Sequence, residues 1–196
     1  MREIIKMVVV LTILSTASGG LLAALRNGTQ ERIDLQVLQF VKGPAIKKIL
    51  DGASNDPITD RFSISDGEAQ RSFFVGKFNG KANVVAFEET TKGYKDGLGM
   101  MIAVNVDTDK IVGIGTTTHN ETPGFGANIE TDKSFTKQFN EIPITSVPKI
   151  TKDGGKINAL SGATLTSRGV CAGIEKASQV YQRLKPEIQK QLKTFS

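Results

Sequence analysis

The residues best placed to do chemistry form one short run, Ser161-Gly162-Ala163-Thr164-Leu165-Thr166-Ser167. Small and hydroxylated side chains there lead straight into an apolar pattern of helical period. Ser and Thr at such a point are ordinary helix caps. Gly162 and Ala163 leave room for a bulky group to approach the backbone. A helix start also presents free N–H groups and the positive end of the helix dipole, which suits a phosphate. A plain cap and an anion site both remain open on these residues alone. A second Gly-rich stretch, Glu121 to Gly126, reads as a loop.

Much other chemistry is excluded. The single Cys171 cannot form an internal disulfide, and the single His119 cannot build a His-rich metal centre. No GxSxG is present, so a serine hydrolase elbow is absent. His119 ends an apparent strand and reads as a packing or surface residue. Cys171 reads as a small buried hydrophobe. Lys and Arg total 25 against 20 Asp and Glu, a net charge of +5. The basic residues are scattered and not interleaved with aromatics, so no nucleic-acid partner is expected.

The elements that must position these residues follow from periodicity. Met7 to Leu25 is free of charge and, as a helix, spans ~28 Å at ~1.5 Å per residue, enough to cross a bilayer core. Arg2 and Lys6 precede it, so a cleavable signal peptide is the alternative. Leu21, Leu22 and Leu25 extend the run past the small residues Ser15 to Gly20, which favours a retained anchor. The expected division is a tail over 1–6, a transmembrane helix over 7–25 and a soluble domain over 26–196. The short tail favours the N-terminus inside and the domain outside.

Beyond the anchor, Ile33, Val37, Phe40 and Val41 stand at helical spacing, with Gly43-Pro44 expected to interrupt the helix before Leu50. Short alternating runs from Arg61 to His119, with turns at Asn79-Gly80, Gly93 and Asp107 to Lys110, predict an antiparallel meander. Asp132 to Phe139 reads as a short helix, and Ile142 to Ile150 as extended. Val170, Ile174, Ala177, Tyr181 and Leu184 mark the buried face of a C-terminal helix. Lys185 to Lys193 reads as a solvated tail after Pro186. The fold class expected is α+β: an antiparallel-rich sheet with flanking helices on one N-terminal transmembrane helix.

SGATLTS, the ETPG loop at Glu121 to Gly124, Gly93-Tyr94 upstream and the N-terminal anchor together resemble the FMN-binding subunits of bacterial ion-pumping redox complexes. The compact length is more similar to the G subunit of the Rnf complex than to the longer C subunit of the Na+-pumping NADH:quinone reductase. The likeness covers nearly the whole chain.

The resemblance implies FMN joined by a phosphoester to Thr164. Ser161, Gly162, Ala163 and Thr166 would surround the phosphate, and Glu121, Thr122, Gly124 and Gly126 would form a second wall through their backbone. Tyr94 would stack near the flavin or close a turn. Leu165 would lie under the ring or fill the core, the core being the expected place. The family has Asp where this chain has Asn158, three residues before the Ser of the motif. The resemblance implies that the Asp helps the Mg-dependent flavin transferase, which moves FMN from FAD onto the Thr, either to dock or to deprotonate the hydroxyl. Asn158 keeps the shape and one acceptor oxygen but loses the charge, so attachment would be slower.

The resemblance further implies an electron-transfer subunit that is not catalytic alone, single-pass in the inner membrane with its domain on the outer side. Other membrane and iron-sulfur subunits, the transferase and membrane lipid would be its partners. The complex would couple ferredoxin and NAD redox chemistry to Na+ or H+ movement. A membrane-tethered module without cofactor is the reading from another class.

Overall fold

The computed structural model describes residues 1–67 and 69–195, apart from the side chain of Glu31. The chain divides into two compact units, Met1–Gln39 and Phe40–Ser196. In the first, helix α1 runs over Arg2–Gln36 without a break. Its segment Arg2–Gln30 is long and apolar enough to cross a membrane, and none of it is covered. Periodicity suggested a separate helix after the anchor. Instead Asn27, Gly28 and Thr29 continue the ladder, with Thr29 Oγ1 donating back to the Leu25 carbonyl at 2.8 Å. One Gly costs a helix only about 1 kcal/mol relative to Ala, too little to end so long an element.

A π-helical turn, Val37–Lys42, joins α1 to α2, Gly43–Ile49. Gly43-Pro44 therefore opens a helix and does not interrupt one. Pro44 lies in the first turn of α2, directly after the π-turn, a position where the fixed φ of Pro suits a helix.

The second unit is built on strands β1 (Arg61–Asp66), β2 (Ala69–Phe78), β3 (Lys81–Thr91), β4 (Leu98–Asn105) and β5 (Lys110–Thr118). They pair antiparallel in the order β1-β2-β3-β4-β5, the meander that the turn signals predicted. Asn79 and Gly80 both have positive φ, 52° and 76°, as a tight two-residue hairpin turn demands.

Successive side chains of each strand point to opposite faces. Phe73, Val75, Val85, Phe87, Met100, Ile102 and Val104 share a core with Val170, Ile174, Ala177 and Tyr181 of the long helix α4, Thr164–Leu192. Phe74, Val84, Ala86, Met101 and Ala103 are buried on the other side, where α2 lies. Its Ile49 and Ala45 pack so close to Gly113 and Gly115 of β5 that a Cβ there would touch them. Both faces being covered explains why β4 is almost continuously apolar and not alternating.

The short helix α3, Lys133–Lys137, is capped by Asp132, whose carboxylate accepts from the Ser134 and Phe135 amides. Ile142 to Ile150 is not extended throughout. Ser146 N–H donates to the Pro143 carbonyl at 2.9 Å and Ser146 Oγ donates to it at 2.7 Å, closing a turn.

The expected solvated tail at Lys185 to Lys193 is helical through Leu192. Ile188 is fully buried and Leu192 nearly so. Pro186 removes one helical hydrogen bond and costs about 3 kcal/mol. Burying two large aliphatic side chains returns about 1.5–3 kcal/mol each, so the helix continues.

Two carboxylates pin α4 to the sheet. Asp66 accepts from Arg183 at 2.8 Å and from Arg71 at 2.7 Å. Asp109, in the β4–β5 turn, accepts from Tyr181 Oη and Lys185 Nζ, both at 2.7 Å. The guanidiniums of Arg183 and then Arg71 lower the Asp66 pKa. Burial pushes Asp109 up, but bonds from Lys185 and Tyr181 outweigh it and leave the pKa lowered. A carboxylate whose folded pKa lies below its unfolded value stabilises the fold above that unfolded value, and the gain disappears as pH falls through the folded pKa. Thermal scans should therefore be flat from pH 7 to 5 and decline below about pH 4, the ordinary Asp range. Asp109→Asn should shrink the decline; an unchanged acid profile in that variant would count against this origin.

Candidate flavin site

A cleft of about 460 Å³ opens where the start of α4 meets the loops after β3 and β5. One wall is the motif itself: Gly162, Ala163, Thr164, Leu165 and Thr166 all line it. Helix α4 starts at Thr164 with Ala163 as N-cap, and no side chain caps it. Its first N–H groups lack the acceptors that an interior turn would provide. The plain-cap reading of the hydroxyls is therefore not realised.

Ser167, fully buried, does a different job. Its Oγ accepts from Leu160 N–H at 2.9 Å and donates to the Ala163 carbonyl at 3.0 Å. That locks the turn before the helix and leaves Thr164 half-exposed on the cleft side.

The opposite wall comes from the Glu121 to Gly126 loop and from Tyr94. Backbone donors were expected from this loop, but its most consequential group is the Glu121 side chain, only 5% exposed. Glu121 Oε2 accepts from Thr166 Oγ1 at 2.6 Å, and Oε1 accepts from Lys95 N–H at 3.1 Å. One carboxylate thus ties together helix α4, its own loop and the loop between β3 and β4. The Thr166 hydroxyl proton is committed to Glu121. Gly126 packs against the same carboxylate, and a Cβ there would lie 2.3 Å from Oε2.

Glu121→Ala would strand the Thr166 hydroxyl and the Lys95 amide, at about 1–3 kcal/mol for a buried group left unpaired. Glu121→Gln keeps an acceptor and should cost less. Urea midpoints of the three proteins check this, and equal losses for Ala and Gln would refute the tie.

The mouth of the cleft carries three large apolar side chains in the open: Tyr94 (61% exposed), Phe125 (54%) and Leu165 (50%). Leu165 is therefore at the cleft and not in the core, because the register of α4 that buries Val170 and Ile174 turns it outward. Phe125 packs so closely on Gly162, which has φ +70°, that a Cβ there would lie 2.6 Å from its ring.

Several expected residues stand apart. Ser161 is exposed and does not line the cleft, nor does Gly124, whose φ of +77° serves the loop turn. Asn158 is exposed, and its backbone N–H and carbonyl pair with the Gln138 side chain at 2.8 and 3.1 Å. His119 is outside as well: its Nδ1 accepts from Glu121 N–H at 3.3 Å, fixing the loop entry. Cys171 is buried, and burial first, with Asp153 second, pushes its thiol pKa up to about 11.

Sequence reasoning did not single out Lys152, which lines the cleft with Nζ 3.4 Å from Thr164 Oγ1. Nothing local marks it, since it lies twelve residues upstream on a separate turn. Phe125 was legible only as part of its loop, and Ser167 only as the last residue of the motif.

An FMN-binding domain model matches residues 93–179, from the Gly93-Tyr94 loop through the first half of α4. The chain is 31% identical over 179 residues to the G subunit of the ion-translocating oxidoreductase complex of Methanosarcina acetivorans, covering 90% of this chain and 93% of that protein. It is 27% identical to the G subunit of the Na+-translocating ferredoxin:NAD+ oxidoreductase complex of Acetobacterium woodii, over 93% and 94% of the two chains. The crystal structure of the C subunit of Na+-translocating NADH-quinone reductase from Parabacteroides distasonis shares the fold at a TM-score of 0.60. The identity there is 21%, over 82% of this chain and 96% of that one. With a matching domain centred on the cleft and relatives aligned almost end to end, the chain belongs to the G-subunit family of the ion-translocating oxidoreductase complexes.

Proposed function

We propose that this protein is a membrane-anchored flavoprotein subunit that relays electrons through FMN bound covalently at Thr164. Its complex would be of the Rnf type, linking ferredoxin and NAD redox chemistry to Na+ or H+ translocation. The observation that carries the reading is the position of Thr164: its hydroxyl stands on the cleft wall at the uncapped start of α4.

The residues fit the group chemically. Tyr94, Phe125 and Leu165 offer an apolar mouth for an aromatic ring, and the free N–H groups at Thr164 to Thr166 suit a phosphate. Bound FMN supplies the exchange of one or two electrons, which none of this chain's own side chains provides. The chain contributes position. Ser167 holds the turn before Thr164, and Glu121 ties the two walls together.

Attachment forms a bond between Thr164 Oγ and the FMN phosphorus and breaks the pyrophosphate of FAD. AMP leaves, and the hydroxyl proton passes to solvent. A flavin transferase performs that step, and exposed Asn158 lies on the surface that it would meet. Residues 7–25 would hold the subunit in the lipid of the cytoplasmic membrane, with the domain outside and the other membrane and iron-sulfur subunits as neighbours.

Intact mass of the full chain, produced together with a flavin transferase, tests the reading. An increment of one FMN less one water is expected. A mass equal to the bare chain would overturn it.

A further inference from the structure

Lys152 is a cation with no carboxylate partner among the described residues, and its Nζ is aimed at the Thr164 hydroxyl. Its position is built. It rides on the 3-10 turn Thr151–Asp153, closed behind by Gly154 in the left-handed region at φ +79°. Thr151 N–H donates to Ile157 O at 2.8 Å, Ile157 N–H to Lys149 O at 3.1 Å and Gly155 N–H to Ile150 O at 3.0 Å. These bonds fold the segment back on itself.

The next residue, Asp153, is clamped to α4 by two hydrogen bonds from Arg168, Nε and Nη2, both at 2.7 Å. Arg168 stands one helical turn past Thr164. The turn carrying Lys152 is thus fastened to the same helix as the attachment residue. Asp153 is occupied by Arg168, which leaves the neighbouring ammonium unneutralised.

We propose that Lys152 is the counter-charge for the phosphate at Thr164, selecting a phosphorylated flavin over its uncharged parent and speeding attachment. The proposal rests on the reading of Thr164 as the attachment residue. The helix start alone offers partial charge and N–H donors; Lys152 adds a full positive charge 3.4 Å from the hydroxyl oxygen. An ammonium bonded to that oxygen also favours its deprotonated form during attack on phosphorus. Once the ester has formed, the same group faces the remaining phosphate charge. The Asp153–Arg168 pair positions Lys152 and does not itself line the cleft.

The test compares FMN with riboflavin, which has the same ring and no phosphate. The full-length protein is purified in detergent from a host lacking the transferase, and binding is read by quenching of flavin fluorescence. The wild type should favour FMN over riboflavin by about tenfold, the scale of one charge-assisted contact. Lys152→Gln should abolish that preference while leaving riboflavin binding intact, and Lys152→Arg should retain most of it. With limiting transferase, the flavinylated fraction of Lys152→Gln should rise about tenfold more slowly by intact mass. Asp153→Asn should fall between the two.

An FMN preference equal in wild type and Lys152→Gln, or attachment to Lys152→Gln at the wild-type rate, would overturn the proposal. A wild type that never gains the FMN mass would instead remove the attachment reading itself, and this inference with it. Circular dichroism of each variant separates these outcomes from misfolding.

Discussion

Thr164→Val is expected to remove all covalent flavin from the protein and to leave its thermal unfolding within about 1 °C of the wild type. Val keeps the branched shape and the methyl but has no oxygen to bond to phosphorus. The stability expectation comes from the helix start. Thr164 is the first helical residue and not the N-cap, and its side chain caps nothing. Among the described residues its hydroxyl has one polar partner, the long bond from Lys152 at 3.4 Å. Losing that should change stability by less than about 0.5 kcal/mol.

Had the hydroxyl been a cap, the same substitution would cost about 0.5–2 kcal/mol and would leave the mass untouched. Mass spectrometry and a melting curve on one variant therefore separate the two roles. Flavin retained on Thr164→Val would place the attachment elsewhere.

The second large effect is steric and lies one turn deeper in α4. Gly169→Ala should destabilise the domain by about 2 kcal/mol and reduce flavin attachment. A Cβ at Gly169 would lie 2.4 Å from the Lys92 carbonyl oxygen and 2.9 Å from the Gly93 Cα. Both are backbone atoms, so relief requires moving the loop and not merely a side chain. Ala is the better helix former by about 1 kcal/mol. Overpacking costs about 1–3 kcal/mol and sometimes more. With backbone on the far side of the clash, the steric cost wins.

The displaced loop carries Tyr94 at the cleft mouth and the Lys95 amide that binds Glu121, so the damage reaches the site. A melting temperature lower by roughly 4–8 °C is expected. Gly28→Ala in α1, where a Cβ meets nothing within 4 Å, is the matched control and should not lower it. A Gly169→Ala protein as stable as wild type would show that the loop yields freely.

Much of the architecture was legible because local chemistry dictated it. Asn79-Gly80 admits few conformations other than a tight hairpin turn. The five apolar runs are rich in β-branched and aromatic residues and are divided by turn signals, which marks them as neighbouring strands. Asp132 to Phe139 reads as a short helix, and α3 forms within it with Asp132 as its cap. The errors arose where burial by distant partners outweighed a local signal. Pro186 reads as a stop, yet α4 continues because Ile188 and Leu192 have a core to enter. Leu165 reads as core, yet the phase that buries Val170 turns it to the cleft.

The amino-acid sequence by itself determined the chemical kind of this protein. It supplies an uncharged helix long enough for a membrane, an antiparallel sheet and a hydroxyl-bearing turn that opens a helix. With one His and one Cys it lacks the residues for an internal disulfide or a His-rich metal centre. These are properties of short segments, where residue type and spacing act within one or two turns of chain.

Only the tertiary structure decided what surrounds Thr164. Glu121 is joined to Thr166 across 45 residues of chain, and Lys152 to Thr164 across 12, by packing that brings separate loops onto one helix start. A side chain's charge is written locally, but the group it faces is set by how the sheet and α4 close over one core. That closure places a motif which spacing alone left open between cap and anion site on the wall of a cleft, at an uncapped helix start with a lysine 3.4 Å from its threonine hydroxyl.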